Sequence, residues 1–239
     1  MIYYDIHTPA TMPAALLDEY LAKGWYRMQQ TIFTTDVIIK NELVIPVFWL
    51  RLVLKRYNET KTSRKIIELN KDCTVTITLG TTITAEAEEL YQLYKSSVNF
   101  DVSPTITDYL LGDTIESIYN THCIEIRWQD QLIALGYFDE GANSLAGILN
   151  IYHPDFKNRS LGKYLMLLKI NYALEKQLPF YYPGYISTSY TKFDYKLFPG
   201  KEAMEVYISS TRQWRPWLSV TAEELEELLF MSNNGEQSY

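Results

Sequence analysis

The sequence predicts an α+β fold with a mixed, mostly antiparallel sheet, one parallel pair of strands splayed at its centre, and helices on both faces. The segments His122 to Trp128, Leu132 to Asp139 and Ser144 to Tyr152 predict an antiparallel meander of three strands. A helical pattern from Leu161 to Gln177 and an aromatic strand from Leu178 to Ile186 come next. A strand, turn, helix and strand in this order form a crossover, and a crossover makes its two strands parallel.

The composition is that of a globular protein with enough apolar residues for a large core. The chain has 239 residues, 47% of them hydrophobic, and its 20 tyrosines exceed what packing alone demands. No apolar run reaches the roughly eighteen residues that span a bilayer, and the N-terminus lacks the basic segment and apolar run of a secretory signal. We therefore expect a cytoplasmic protein with no membrane contact.

Charge and cysteine content restrict the classes of ligand. Cys73 and Cys123 are the only cysteines, and together with three histidines they show no metal-ligand spacing, so we expect neither a metal nor a cofactor. The net charge of −7 repels a polyanion at long range. Any nucleic-acid contact must therefore depend on local basic clusters, which occur at Lys55 to Lys65 and at Lys192 to Arg215. Such runs are also common on ordinary solvated surfaces.

The first 65 residues predict one helix followed by strands. Leucines and a tyrosine at helical spacing predict a helix from Pro13 to Lys23. Two strand-like segments follow, Thr31 to Lys40 and Leu43 to Leu54, and Pro46 in the second favours an edge or bulge position. The polar segment from Tyr57 to Lys65 is interpreted as a loop.

One strand and two helices are predicted before the meander. Cys73 to Leu79 is β-branched and predicts a strand, and Thr84 is placed to cap a helix. A further helix is predicted from Thr105 to Tyr119, although Gly112 disfavours it. No linker separates independent domains. We expect an N-terminal subdomain at 1–80 packed on the core, a catalytic domain at 81–230 and a flexible tail at 231–239.

The turn that opens the helix at Leu161 matches a motif for binding anions. Arg159 to Tyr164 follows the form R/Q-x-x-G-x-G/A except at its last position. It resembles the turn of GNAT acyltransferases and implies a GNAT-like sheet. Unpaired amides at a helix N-terminus can hold a phosphate, so Arg159, Ser160, Leu161 and Gly162 are candidate binding residues. Tyr164 departs from the small residue of coenzyme-A-binding members, and we expect it to obstruct a pyrophosphate.

A longer similarity covers most of the chain. Ser160 to Tyr164 and Pro179 to Ile186 resemble the S-L-G-x-Y and x-Y-Y-x-G-Y-x-I segments of arginyl-tRNA-protein transferases and their bacterial leucyl-transferring relatives. Lys192-Phe193-Asp194-Tyr195-Lys196 is similar to their K-M-x-Y-K. Further similar segments are Lys23 to Arg27, Leu132 to Asp139, and Tyr152 to Asp155. The chain departs from the family in lacking its N-terminal cysteine cluster and the pattern of its C-terminal tail.

The resemblance implies transfer of an aminoacyl group from the 3′ end of a charged tRNA to the N-terminal α-amine of an acceptor protein with an acidic N-terminus, as in N-degron formation. The ester is already activated, so alignment, deprotonation of the amine and stabilisation of the oxyanion matter more than a nucleophile. Lys192 and Lys196 are the best candidates for binding the acidic side chain or the terminal phosphate. Solvent exposure is an equal alternative for Lys196.

The other candidates have weaker support. Tyr185 and Tyr195 could orient the ester or the amine, although a core position is the default among so many tyrosines. Asp139 could assist proton removal, but an aspartate that caps a loop is at least as common. Trp25 and its neighbour Tyr26 could stack on the terminal adenine, and Arg27 belongs to the same element as a candidate substrate-binding residue.

Two other functions remain open at this point. A coenzyme-A-dependent N-acyltransferase would use the same turn for a pyrophosphate. A non-catalytic member would bind peptide N-termini, which the missing cysteines favour. The sequence does not set the transferred amino acid, the acceptor or the oligomeric state.

Overall fold

A computed structural model describes residues 3–40, 42–81 and 83–231 of the chain. Its helices are α1 (Ala14–Ala22), α2 (Lys61–Leu69), α3 (Ala85–Ser97), α4 (Ile106–Leu111), α5 (Leu161–Glu175) and α6 (Ala222–Met231). Its strands are β1 (Tyr4–His7), β2 (Tyr26–Met28), β3 (Thr31–Thr35), β4 (Val37–Lys40), β5 (Leu43–Pro46), β6 (Phe48–Val53), β7 (Thr74–Leu79), β8 (Thr121–Trp128), β9 (Gln131–Glu140), β10 (Ser144–Tyr152), β11 (Phe180–Ile186), β12 (Met204–Ile208) and β13 (Gln213–Pro216). In these ranges no helix is both long and apolar enough to cross a membrane.

An eight-stranded sheet forms the centre of the fold, in the order β13-β12-β6-β11-β10-β9-β8-β7. The strands β8, β9 and β10 form the predicted antiparallel meander. Strands β10 and β11 are parallel, and α5 makes the crossover between them. The neighbouring strands in the rest of this sheet pair in the antiparallel sense. The predicted mixed sheet with one parallel pair is therefore confirmed.

The central strands bury side chains on both faces because helices cover both. Phe138 of β9 belongs to the core cluster that includes the buried residues of α5. Its neighbour Tyr137 points to the opposite face, as alternation along a strand requires, and packs in the cluster of α3 and α4. Helices on both faces of the sheet are thus confirmed.

A smaller layer built from residues before β6 packs beside the large sheet. It contains the three-stranded sheet β1-β3-β2, α1 and the hairpin β4-β5. Strands β6 and β7, which also precede residue 81, are hydrogen-bonded into the large sheet. The division at residue 80 stays a prediction about folding units. Residues 232–239 of the expected tail lie outside the described residues.

Two local predictions were wrong. The segment read as a loop contains the start of α2 at Lys61, where the side chain of Thr60 caps the helix by accepting a bond from the Ser63 amide at 3.0 Å. Most residues of this helix are polar, and only Ser63 and Ile66 are buried. The helix predicted from Thr105 to Tyr119 ends at Leu111, because Gly112 follows with φ of 59°.

A buried ion pair fastens the small layer to the meander. The Arg27 guanidinium of β2 donates to the Asp139 carboxylate of β9 at 2.8 Å, and the two side chains are 1% and 0% exposed. Arg27 also donates to the Thr121 hydroxyl at 2.8 Å and to the Leu110 carbonyl at 2.6 Å. Because a buried charge is stable only when it is paired and hydrogen-bonded, this pair fixes the position of β2.

Candidate active site

The candidate site is the gap that opens between β10 and β11. The parallel pairing covers only Ser144 to Ala146 and Phe180 to Tyr182, and the two strands diverge beyond it. Both strands are irregular at this point, with register shifts after Gly147 in β10 and before Gly184 in β11. The four β10 residues after Ala146 are half-buried, although β10 is a central strand. The divergence therefore leaves a notch in the middle of the sheet.

Tyrosine hydroxyls bind the backbone carbonyls at the edges of this gap. The Tyr26 hydroxyl of β2 donates to the Gly147 carbonyl of β10, and it lies 3.2 Å from the Tyr182 carbonyl of β11. The Tyr109 hydroxyl of α4 donates to the Ile148 carbonyl at 3.2 Å. These phenols thus satisfy backbone acceptors that the divergence of the two strands leaves without a strand partner.

Lys196 reaches the gap from a short 3₁₀ helix at Thr191–Leu197. Its amine donates to the Tyr185 carbonyl of β11 at 2.7 Å. The ring centroids of Tyr185, Phe193 and Tyr195 lie 4.8, 4.9 and 6.0 Å from the amine. Burial lowers the pKa of this amine to about 7. The amine thus lies in a buried site lined by aromatic rings, and among the described residues no carboxylate pairs with it.

The backbone of β11 makes room for this amine at Gly184. A Cβ atom at this position would lie 3.1 Å from the Lys196 nitrogen, and the φ angle of 94° is one that side chains other than glycine rarely adopt. Glycine at position 184 therefore allows both the bend in β11 and the close approach of the Lys196 amine.

The predicted anion turn lies next to this gap. Ser160 adopts a left-handed conformation, and its carbonyl accepts the amides of Lys163 and Tyr164. No backbone acceptor is recorded for the Leu161 and Gly162 amides among the described residues. The ring of Tyr152, at the end of β10, covers Gly162, since a Cβ there would lie 3.2 Å from the Tyr152 Cε1 atom. Tyr152 thus separates the turn from the gap.

Two residues of the turn have structural partners. The Arg159 guanidinium forms two bonds of 2.7 and 2.9 Å with the Asp72 carboxylate, which Trp128 also contacts. Arg159 holds the pKa of this carboxyl well below its usual range. Tyr164 is 6% exposed and packs in the core cluster around α5. The expected obstruction of a pyrophosphate by Tyr164 stays a prediction.

Two further predicted site residues, Trp25 and Lys192, differ in their burial. Trp25 is buried against His7 and Tyr20, with ring centroids 4.4 and 5.4 Å away. Lys192 lies over the ring of Phe100, and desolvation lowers its pKa. Lys40 of β4 approaches the same surface through its bond to the Tyr190 hydroxyl.

The chain matches the family model described as "Arginine-tRNA-protein transferase, C terminus" over residues 86–202. It is 28% identical over 149 residues to the aspartate/glutamate leucyltransferase of Hahella chejuensis, a match that covers 62% of this chain and 63% of the relative. By the match to the family model, residues 86–202 of the chain belong to the family of aminoacyl-tRNA-protein transferases. A second relative of that name, from Granulibacter bethesdensis, is 26% identical to this chain. The match covers 90% of this chain and 78% of the relative.

The chain spans slightly less than two thirds of the first curated relatives that it matches, 63% of the Hahella protein and 65% of a Leptospira interrogans leucyltransferase. Among solved structures it resembles FemX, with a TM-score of 0.47, 9% identity, and coverage of 80% of this chain and 65% of FemX. The matched family region contains both strands of the gap, the anion turn and Lys196.

Lys196 was among the residues predicted from the sequence, whereas most of the residues that line the gap were not. Tyr109, Tyr152 and Gly184 were not among the candidates, and Tyr26 was considered only for stacking. For the tyrosines, the one signal in the sequence was their high number, which does not show which of their side chains lie close together in the fold. Arg27 and Asp139 were expected near the substrate, whereas they bind each other in the interior.

Proposed function

We propose that this protein transfers an aminoacyl group from the 3′ end of a charged tRNA to the N-terminal α-amine of an acceptor protein. The observation that carries the proposal is the notch between β10 and β11, with the buried Lys196 amine at its edge, in a chain of this family. The names of the relatives supply leucine as the transferred group and aspartate or glutamate as the acceptor residue. The proposal places that acidic residue at the N-terminus of the acceptor. The product would be a modified N-terminus of the N-degron type.

The proposal assigns the parts of the site to the parts of the reaction. The Leu161 and Gly162 amides at the start of α5 hold a phosphate of the tRNA end. The half-exposed phenol of Tyr195 orients the ester, and Tyr185 holds the Lys196 amine through its carbonyl and ring. Lys192 lies nearer the surface and attracts the acceptor's carboxylate.

Arg27 and Asp139 act on the reaction through Tyr26. Arg27 follows Tyr26 directly in β2, and its bond to Asp139 holds that strand against β9. The Tyr26 hydroxyl is thereby placed between the Gly147 and Tyr182 carbonyls. The two charged residues are positioning residues in this scheme, and neither touches the substrate.

Ligand-induced stabilisation separates this function from the two alternatives. The probes are a non-hydrolysable 3′-leucylamido adenosine carrying a 5′-phosphate, acetyl-coenzyme A, and a peptide that begins with aspartate. A ligand at one hundred times its Kd stabilises the fold by about 2.7 kcal/mol. We expect the adenosine mimic and the peptide to raise the melting temperature. Stabilisation by acetyl-coenzyme A alone would favour the coenzyme-A-dependent acyltransferase, and stabilisation by the peptide alone the non-catalytic binder.

Replacing Gly162 tests the anion turn. We expect Gly162→Val to remove the preference for the mimic with a 5′-phosphate over the same mimic without it, because the added branch covers the amides and displaces the ring of Tyr152. Gly162→Ala adds only the Cβ atom and should weaken the preference by less. The comparison of the two mimics cancels any general loss of stability. An unchanged preference in Gly162→Val would exclude the turn from the site.

A further inference from the structure

Two lysines are buried in the centre of this fold, and their surroundings differ. Lys169 of α5 donates to the Tyr137 carbonyl at 2.7 Å, the Leu149 carbonyl at 3.2 Å and the Asn150 side chain at 2.7 Å. Burial lowers the pKa of Lys169 to about 7 as well. Each of the three protons of its charged form nevertheless has an acceptor, so it is a structural crosslink under the irregular part of β10. Among the described residues Lys196 donates to one acceptor, the Tyr185 carbonyl. Its other hydrogen-bonding positions have no partner in that part of the chain.

The described groups that face Lys196 carry no negative charge that could balance a positive charge on its amine. They are the rings of Tyr185 of β11 and of Phe193 and Tyr195 of the 3₁₀ helix, and Tyr26 of β2, which like the amine lies next to Gly184. Tyr109 of α4 and Tyr152 of β10 lie near Tyr195. Burial raises the pKa of Tyr185 to about 12 and raises those of Tyr26 and Tyr109, so these phenols are neutral at pH 7. Asp194, on the same 3₁₀ helix, lines a different cleft beside α6.

Desolvation without a counter-charge favours the uncharged amine. Burial disfavours the ammonium form of a lysine, and here it lowers the pKa of Lys196 to about 7. A substantial fraction of the side chain is then an amine with a free lone pair at neutral pH. An amine in this state accepts protons, and it binds an anion more weakly than a lysine that stays charged.

We propose that Lys196 is the residue that takes the proton from the acceptor's α-ammonium group in the gap between β10 and β11. The inference rests on the proposed aminoacyl transfer. The ammonium gives one proton to the Lys196 nitrogen, and the freed lone pair forms the bond from nitrogen to the ester carbonyl carbon. The bond from that carbon to the ribose oxygen then breaks, and the oxygen receives the second proton of the attacking nitrogen. Lys196 afterwards releases its proton to solvent.

The first test reads the amine directly and needs no activity. The full chain carrying lysine labelled with ¹⁵N at the side-chain nitrogen is titrated by NMR from pH 5 to 10, and Lys196→Met and Lys169→Met assign the two buried amines. We expect a signal that titrates near pH 7 and is absent from Lys196→Met. Methionine keeps the length and removes a buried polar group, so this variant should fold. A Lys196 amine that stays charged up to pH 9 would overturn the proposal.

The second test is the pH profile of single-turnover transfer at saturating peptide. A positioned base contributes about 10²–10⁴-fold, so Lys196→Met should lose that much at pH 7. The wild-type rate should rise with pH, because the uncharged amine is the active form, and level off above about 7. This inflection should stay at the same pH for two peptides whose α-amines differ in pKa, and disappear in Lys196→Met.

Each outcome distinguishes this inference from the proposed function. Wild-type transfer with an inflection that moves with the peptide's own amine would leave the function standing and overturn the role of Lys196. Absence of wild-type transfer from any charged tRNA would reject the function, and the inference with it, whatever the NMR titration shows. Lys169→Met is the matched control, since it should lower stability and leave the position of the inflection unchanged.

Discussion

Replacing Asp139 with alanine is expected to lower the free energy of unfolding by about 3–5 kcal/mol. The carboxylate is 0% exposed, and its partner Arg27 would be left with a charged group in the interior. The Thr121 hydroxyl, which donates to Asp139 at 2.6 Å, would also lose its acceptor. Chemical denaturation followed by tryptophan fluorescence measures the change.

Two further variants decide whether the loss comes from the unpaired charge. Removing both charges with Arg27→Met and Asp139→Leu should recover much of the stability, because apolar residues of similar volume often replace a buried pair without loss. Glu68→Ala is the control, because it breaks the ion pair between Glu68 and Lys71, whose side chains are 69% and 70% exposed. It should leave the denaturation midpoint nearly unchanged. A small effect of Asp139→Ala would show that Arg27 finds another partner, contrary to the positioning role.

Charge reversal at Lys192 is expected to reduce kcat/KM for a peptide that begins with aspartate by about ten- to one-hundredfold. Glutamate at this position sets a like charge against the acceptor's carboxylate, a cost of about 1.4–2.7 kcal/mol in a partly desolvated site. Lys192 is half-buried against Phe100, so the charge is only partly screened. Initial rates of transfer at several peptide concentrations give the ratio.

Lys176→Glu is the control for this charge reversal. Lys176 follows the last turn of α5, at the opposite end of that helix from the anion turn, and it is exposed. It changes the net charge of the protein by the same amount, so it should leave kcat/KM for the aspartate peptide unchanged. Equal losses in both variants would mean that the whole-protein field matters, and that Lys192 has no local contact with the acceptor.

The central part of the fold could be predicted because its signals are local. Strands β8, β9 and β10 are largely apolar segments separated by short turns, and they pair with their neighbours along the chain. The glycine-bearing turn marks the start of α5. The insertion of β6 between β11 and β12 could not be predicted in this way, because both pairings join segments more than a hundred residues apart. Helix α2 was missed because its polar composition resembles a loop and only its cap marks it.

The candidate site was predictable in part, for a related reason. The family resemblance pointed to Lys192 and Lys196, but the sequence did not reveal that Lys196 is buried among aromatic rings. Tyr26 and Tyr109 come from β2 and α4, and only the assembled fold brings their hydroxyls to the carbonyls of β10. With 20 tyrosines in the chain, composition could not single them out.

The most direct test of the proposed function is transfer of radiolabelled leucine or arginine from total charged tRNA to peptides that begin with aspartate, glutamate or lysine. The structure-based account predicts label on the aspartate and glutamate peptides, little on the lysine peptide, and a loss of label in Lys196→Met. If no charged tRNA donates to any peptide while acetyl-coenzyme A is consumed with an amine acceptor, the proposed aminoacyl transfer is contradicted.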